Sequence, residues 1–118
     1  MLLVLISANE TGAQEMVGHV QGLQKQQLLT ISDAAIVIRK EDGNVKVKQV
    51  NQLVGSGALG GAFWGLFVGQ LFLESWLSPT GAVEGGISNY GIDDDFIAEM
   101  VSAIKPGYSA LLMIVEYL

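Results

Sequence analysis

The chain has 118 residues and a mass of 12.6 kDa, enough for one domain and one core. Half of it is hydrophobic and only 15% is charged, which excludes a disordered chain. A net charge of −6 excludes the basic footprint of a nucleic-acid binder, so no nucleic acid is expected as a partner. With no cysteine there is no disulfide, thiolate metal site or cysteine nucleophile, and a single histidine, His19, leaves little for a zinc site or a Ser/His pair.

Met1–Ala8 is short and weakly basic at its start, unlike a signal peptide, and its apolar run reads as a strand buried on both faces. From Thr11 to Leu28 the apolar positions Ala13, Met16, Val17, Val20 and Leu23 recur at three- and four-residue steps, which predicts an amphipathic helix. Leu29–Lys40 is rich in β-branched residues and reads as a strand. Asp42-Gly43-Asn44 supplies turn residues that tolerate positive φ, and Val45–Val50 then alternates, with Val45 and Val47 on one face and Lys46 and Lys48 on the other. These two segments form a β-hairpin.

Leu53–Leu73 carries no charge over 21 residues; a second glycine-rich segment, Trp76–Ile92, is interrupted by Pro79 and Glu84. Asp93 reads as an N-cap with Asp94 and Asp95 in the first turn of a helix running to Ile104, and Ile92 with Ile97 as a hydrophobic staple. Lys105-Pro106-Gly107 ends that helix, and Tyr108–Leu118 is the last strand. The succession is strand, helix, strand, strand, helix, strand. It predicts an α+β fold, a ferredoxin-like βαββαβ sheet (1–52 and 93–118), with an inserted glycine-rich apolar helical hairpin (53–92) between strand 3 and helix 2. Two helices are expected to cover one face of that sheet. The other needs the inserted hairpin or a second subunit, so a homo-oligomer is expected.

Gly57, Gly61, Gly65 and Gly69 recur every four residues, and Gly81 and Gly85 extend the pattern. On a helix such residues share one side and permit close approach of another backbone. Each interior glycine costs about 0.8–1 kcal/mol relative to alanine. The stripe is therefore expected to lie against other helices or acyl chains. Twenty-one helical residues reach about 31 Å, near the hydrocarbon thickness of a bilayer. Arg39, Lys40, Lys46 and Lys48 precede the apolar run; as membrane-surface cations they put the sheet on the cytoplasmic side, and membrane lipid is an expected partner. A water-soluble helical hairpin buried in a cytoplasmic homo-oligomer is the alternative.

Several segments together resemble a family of bacterial and archaeal proteins catalogued as domain of unknown function 1269. They are Asp33-Ala34-Ala35-Ile36-Val37, Asp42 through Gln49, Gly61-Ala62-Phe63-Trp64-Gly65, Gly91 through Ile97 and Gly107 through Leu111. The resemblance runs from about residue 20 onward. It implies an uncharacterised membrane protein and no known activity.

Chemistry is sparse. Asp93-Asp94-Asp95 lack the spacing of a calcium loop and read as helix-start carboxylates, so no metal is expected. His19 has no partner in sequence. Asp33 inside a strand is expected to cap the strand edge, bond the neighbouring backbone or pair with a lysine across the hairpin. Glu84, among glycines and alanine, is a candidate interface or pH-sensitive carboxylate. No Gly-Lys-Ser/Thr follows the glycines, so a nucleotide loop is not indicated. No catalytic residue, cofactor or small-molecule substrate is identified. The reading is a non-enzymatic, membrane-associated structural protein that self-associates through its glycine-zipper hairpin and sheet face, with a soluble oligomeric ligand- or protein-binding stress-response module as the alternative.

Overall fold

Two strands that are apolar on both sides set the architecture, because each of their faces has to be covered. The computed structural model describes residues 2–53, 61–73 and 94–117. In chain order these form β1 (Leu2–Ser7), α1 (Gly12–Lys25), β2 (Thr30–Arg39), β3 (Val45–Gln49) and a 3-10 turn (Asn51–Leu53). After them come α2 (Gly61–Leu73), α3 (Asp94–Ala103) and β4 (Ser109–Tyr117). The expected N-cap Asp93, its staple residue Ile92 and the second arm Trp76–Ile92 lie outside the described residues.

The sheet is antiparallel throughout, in the order β1-β4-β2-β3. The α+β class and the predicted succession of elements are present, but the ferredoxin-like arrangement is not. That fold places its third strand between the first two and both helices on one face. Here β4 fills that slot and β3 lies at the edge. Residue character explains the difference. β4 presents Ala110, Leu112 and Ile114 to one face and Leu111, Met113 and Val115 to the other, all buried, whereas β3 carries two lysines suited to an edge.

Of the two covers expected for the second face, the inserted hairpin or a second subunit, the inserted segment supplies one. On one face, Ala13, Val17 and Val20 of α1 pack with Ile31, Ile36, Leu111 and Met113. On the other, Trp64, Phe67 and Val68 of α2 join Met100 and Ile104, at and just after α3, over Ala35, Val37, Leu112 and Leu2. α1 and α3 thus lie on opposite faces, and the first arm of the insertion completes the second layer.

A continuous helix from Leu53 to Leu73 is also corrected. Leu53 belongs to the 3-10 turn and is fully buried against the α1 layer, while α2 spans 13 residues, about 20 Å. Among the described residues no helix is long and apolar enough to cross a membrane.

Both ends of α1 are closed by contacts that sequence pattern does not announce. Thr11 makes no side-chain cap; the buried Ser109 hydroxyl accepts from the Ala13 N–H (3.0 Å) and donates to the Asn9 carbonyl (2.7 Å). A Cβ at Gly12 would overlap the Ser7 side chain, so that position needs glycine. At the other end Leu28 N–H reaches the Leu23 carbonyl and Gln27 N–H the Gln24 carbonyl, both at 3.0 Å, a Schellman closure with Gln27 at φ 61°.

Two outcomes follow for urea unfolding. Ser109→Ala removes both buried bonds and is expected to cost about 1–3 kcal/mol. Gln27→Gly relieves the left-handed backbone and is expected to gain about 0.5–1 kcal/mol, the left-handed penalty less glycine's entropy cost.

Candidate functional site

α2 divides into sides. Trp64, Phe67 and Val68 face the sheet, Trp64 being only 1% exposed, and Leu66 on the far side is 62% exposed. Phe63, Trp64 and Phe67 form an aromatic cluster with centroids 5.2–6.0 Å apart. Burying the three sheet-facing side chains is worth roughly 1.5–3 kcal/mol each, which exceeds the penalty of about 0.8–1 kcal/mol for each glycine in the helix. The Trp64 indole N–H finds no acceptor among the described residues, which reduces that gain.

Gly65 and Gly69 lie on the flank between these sides. Apart from the adjoining residues and the helix's own backbone, no described atom comes within 4 Å of a Cβ built at either. Among the described residues the glycine row therefore does not mediate close backbone packing. It lines a groove of about 510 Å³ between α2 and β3, shared with Val68, Val45, Val47 and Arg39. Gly61 starts α2, while Gly57, Gly81, Gly85 and Glu84 lie outside the described residues.

The four cations placed together by sequence differ in what they do. Arg39, at the end of β2, donates from Nη1 to the Ile104 carbonyl (2.9 Å) just past α3, as suits a cation at a helix C-terminus. Lys46 and Lys48 stand opposite Ile38 and Ile36, on the α1 face of the β3 edge. The Lys40 ammonium, against the Lys46 side chain and repelling its charge, holds the Lys46 pKa below the usual lysine value. Slight desolvation adds to this and Glu10 opposes it.

Asp33 is fully buried beside the β-bulge at Ser32. Its carboxylate accepts from the Ala34 N–H (2.8 Å) and the Gln49 side-chain amide (3.1 Å), so it bonds the neighbouring backbone, one of the roles expected of it. His19 is exposed on α1. Among the described residues no three His, Cys, Asp or Glu side chains are grouped to hold a metal. A second groove, about 270 Å³, lies between the outer strand β1 and α3, lined by Leu2, Val4, Ile6, Phe96, Glu99 and Met100. Sequence reasoning missed both grooves; the lysine–valine alternation of β3 is the signal that marks the first.

These features define a helix–sheet–helix α+β domain with two grooved sheet edges. The family described as "Protein of unknown function (DUF1269)" matches residues 58–118, just over half of the chain, and the chain belongs to that family. That match takes in α2, α3 and β4 and is shorter than the span of the resemblance in sequence. No curated protein and no solved structure matches the chain.

Gly65→Ala and Gly69→Ala distinguish an open glycine flank from a packed one. With an open flank each is expected to raise unfolding stability by about 0.8–1 kcal/mol through helix propensity; a tightly packed glycine would give a loss in the same denaturant titration.

Proposed function

We propose that the protein is a non-enzymatic, membrane-associated assembly protein. The observation that carries this reading is α2 itself. It is uncharged over 13 residues, anchored by one side to the sheet, and turns Leu66 and the open Gly65–Gly69 flank outward. An apolar helix side with no cover among the described residues suits acyl chains or a second copy. In this reading a glycine-zipper hairpin lies within residues 54–92, and its first arm includes α2. The hairpin lies at the membrane, and the sheet sits on the cytoplasmic side with its cationic hairpin near anionic headgroups. Because helices of the same chain cover both sheet faces, self-association falls to the hairpin and the sheet edges rather than to a face.

A soluble oligomeric binding module is the second reading. It is favoured by the two grooves at the sheet edges, which suit protein or small apolar partners.

Membrane fractionation with a carbonate wash, followed by sizing of detergent-free protein, separates the two. The wild type is expected to stay with the membrane. Leu66→Glu, at an exposed position, is expected to move to the supernatant with its melting temperature unchanged. A wild type found wholly in the supernatant as a monomer overturns the membrane-assembly reading.

A further inference from the structure

The edge strand β3 has a different chemistry on each of its sides. Its register with β2 and the bonds Lys40 N–H to Asn44 carbonyl (2.7 Å) and Val50 N–H to Ala34 carbonyl (2.9 Å) fix which residues bond inward. In an antiparallel ladder these alternate, so the even-numbered positions pair with β2. Val45, Val47 and Gln49 then turn their N–H and C=O groups toward an edge that no described strand covers. On the α2 face, Val45 and Val47 border the groove of about 510 Å³ whose far wall is Val68 with the open flank of Gly65 and Gly69. On the α1 face stand Lys46 and Lys48, with Lys40 against Lys46. The chain has 12 acidic and 6 basic residues, yet two of those six alternate along this one edge strand.

We infer that the β3 edge is a docking site for an extended protein segment of alternating apolar and acidic residues, which adds to the sheet as a fifth strand. Main-chain bonds to Val45, Val47 and Gln49 would hold the added strand, as in other cases of strand addition. Strand residues alternate in direction, so every second side chain of the guest enters the groove over Gly65 and Gly69, where the missing Cβ atoms leave room. The intervening side chains stand beside Lys46 and Lys48 on the α1 face, at cross-strand distance, where carboxylates neutralise them. Carboxylates there also relieve the repulsion between Lys40 and Lys46. The other edge, β1, offers Leu2–Ser7 with no charge at all, so the preference for an acidic guest belongs to β3 alone. The inference does not rest on membrane attachment, but both readings use the Gly65–Gly69 flank, so a guest strand would compete there with a packed helix or acyl chains.

The test uses the full chain and the blocked peptide Val-Glu-Val-Glu-Val-Glu-Val, followed by fluorescence anisotropy of a terminal dye, with Val-Lys-Val-Lys-Val-Lys-Val as control. The acidic peptide is expected to bind at least about tenfold more tightly than the basic one, a difference of about 1.4 kcal/mol. Lys46→Glu combined with Lys48→Glu is expected to invert that preference. Gly65→Leu, which fills the groove, is expected to weaken the acidic peptide by about tenfold or more without lowering the melting temperature. Hydrogen exchange is expected to slow at the amides of Val45, Val47 and Gln49 when the peptide is present. The inference is overturned if the acidic peptide does not bind or protects amides outside β3. It is equally overturned if the charge reversal leaves the preference unchanged, since the lysines would then serve only to guard the edge against aggregation.

Discussion

The fold depends on one constraint: β2 and β4 are apolar on both faces, so neither face of the sheet can be left to water. Ala34 and Ile36 look one way and Ala35 and Val37 the other, and β4 repeats the pattern from Ala110 to Val115. α1 satisfies one side. The other is closed by α3 together with α2, whose Trp64, Phe67 and Val68 pack in one cluster with Met100. This explains why a glycine-rich helix is stable here without using its glycines. The apolar side adjacent to them is buried, and burial of two aromatic rings and a valine outweighs the propensity lost at Gly65 and Gly69.

The same constraint decides where the molecule can meet anything else. With both faces occupied, the surfaces of the sheet and α2 left open among the described residues are the outward side of α2, the apolar edge β1 and the lysine-bearing edge β3. Arg39 shows how closely the third of these is tied to the core. Its guanidinium closes the C-terminal end of α3 while its side chain lines the groove beside β3, so the end of a core helix and the wall of an open groove share one residue.

Much of the fold was legible in sequence because its signals are local. The turn at Asp42-Gly43-Asn44 places Gly43 at φ 92°, the lysine–valine alternation gives β3 its two sides, and the spacing of Ala13, Val17 and Val20 gives α1 its buried face. What failed was long-range. Pattern alone leaves the strand order open, because β1, β2 and β4 are all apolar on both sides and β1 still lies at an edge; the order comes from pairings between segments far apart in sequence. Of the glycine row, Gly61, Gly65 and Gly69 fall in α2 at four-residue steps, while Gly57, Gly81 and Gly85 lie outside the described residues. Periodicity cannot say whether such a row faces a backbone, a lipid or an open groove, and at Gly65 and Gly69 no described neighbour approaches. The candidate site was hidden for the same reason, since its walls come from residues some 20 positions apart that meet only in the fold. Ser109 and Gln27 carried no capping signature because one acts across the chain and the other adopts a left-handed backbone that glycine usually supplies.

The contrast between the two outer strands carries the functional argument furthest. An exposed edge invites any extended chain, and lysines are a common way to discourage this. If protection alone had shaped these edges, β1, with Leu2, Leu3, Val4, Leu5 and Ile6 in sequence, is the one that needs charge, and it has none. The lysines stand instead on β3, where the opposite side opens onto a groove floored by glycine. Charge placed beside a cavity, and withheld from the more aggregation-prone edge, is better explained by selection among partners than by repulsion of all of them. In the proposed readings the uncharged β1 edge and the outward Leu66 side of α2 are left for copies of the chain or for lipid, while the Gly65–Gly69 flank is the one surface that attachment and recognition would share.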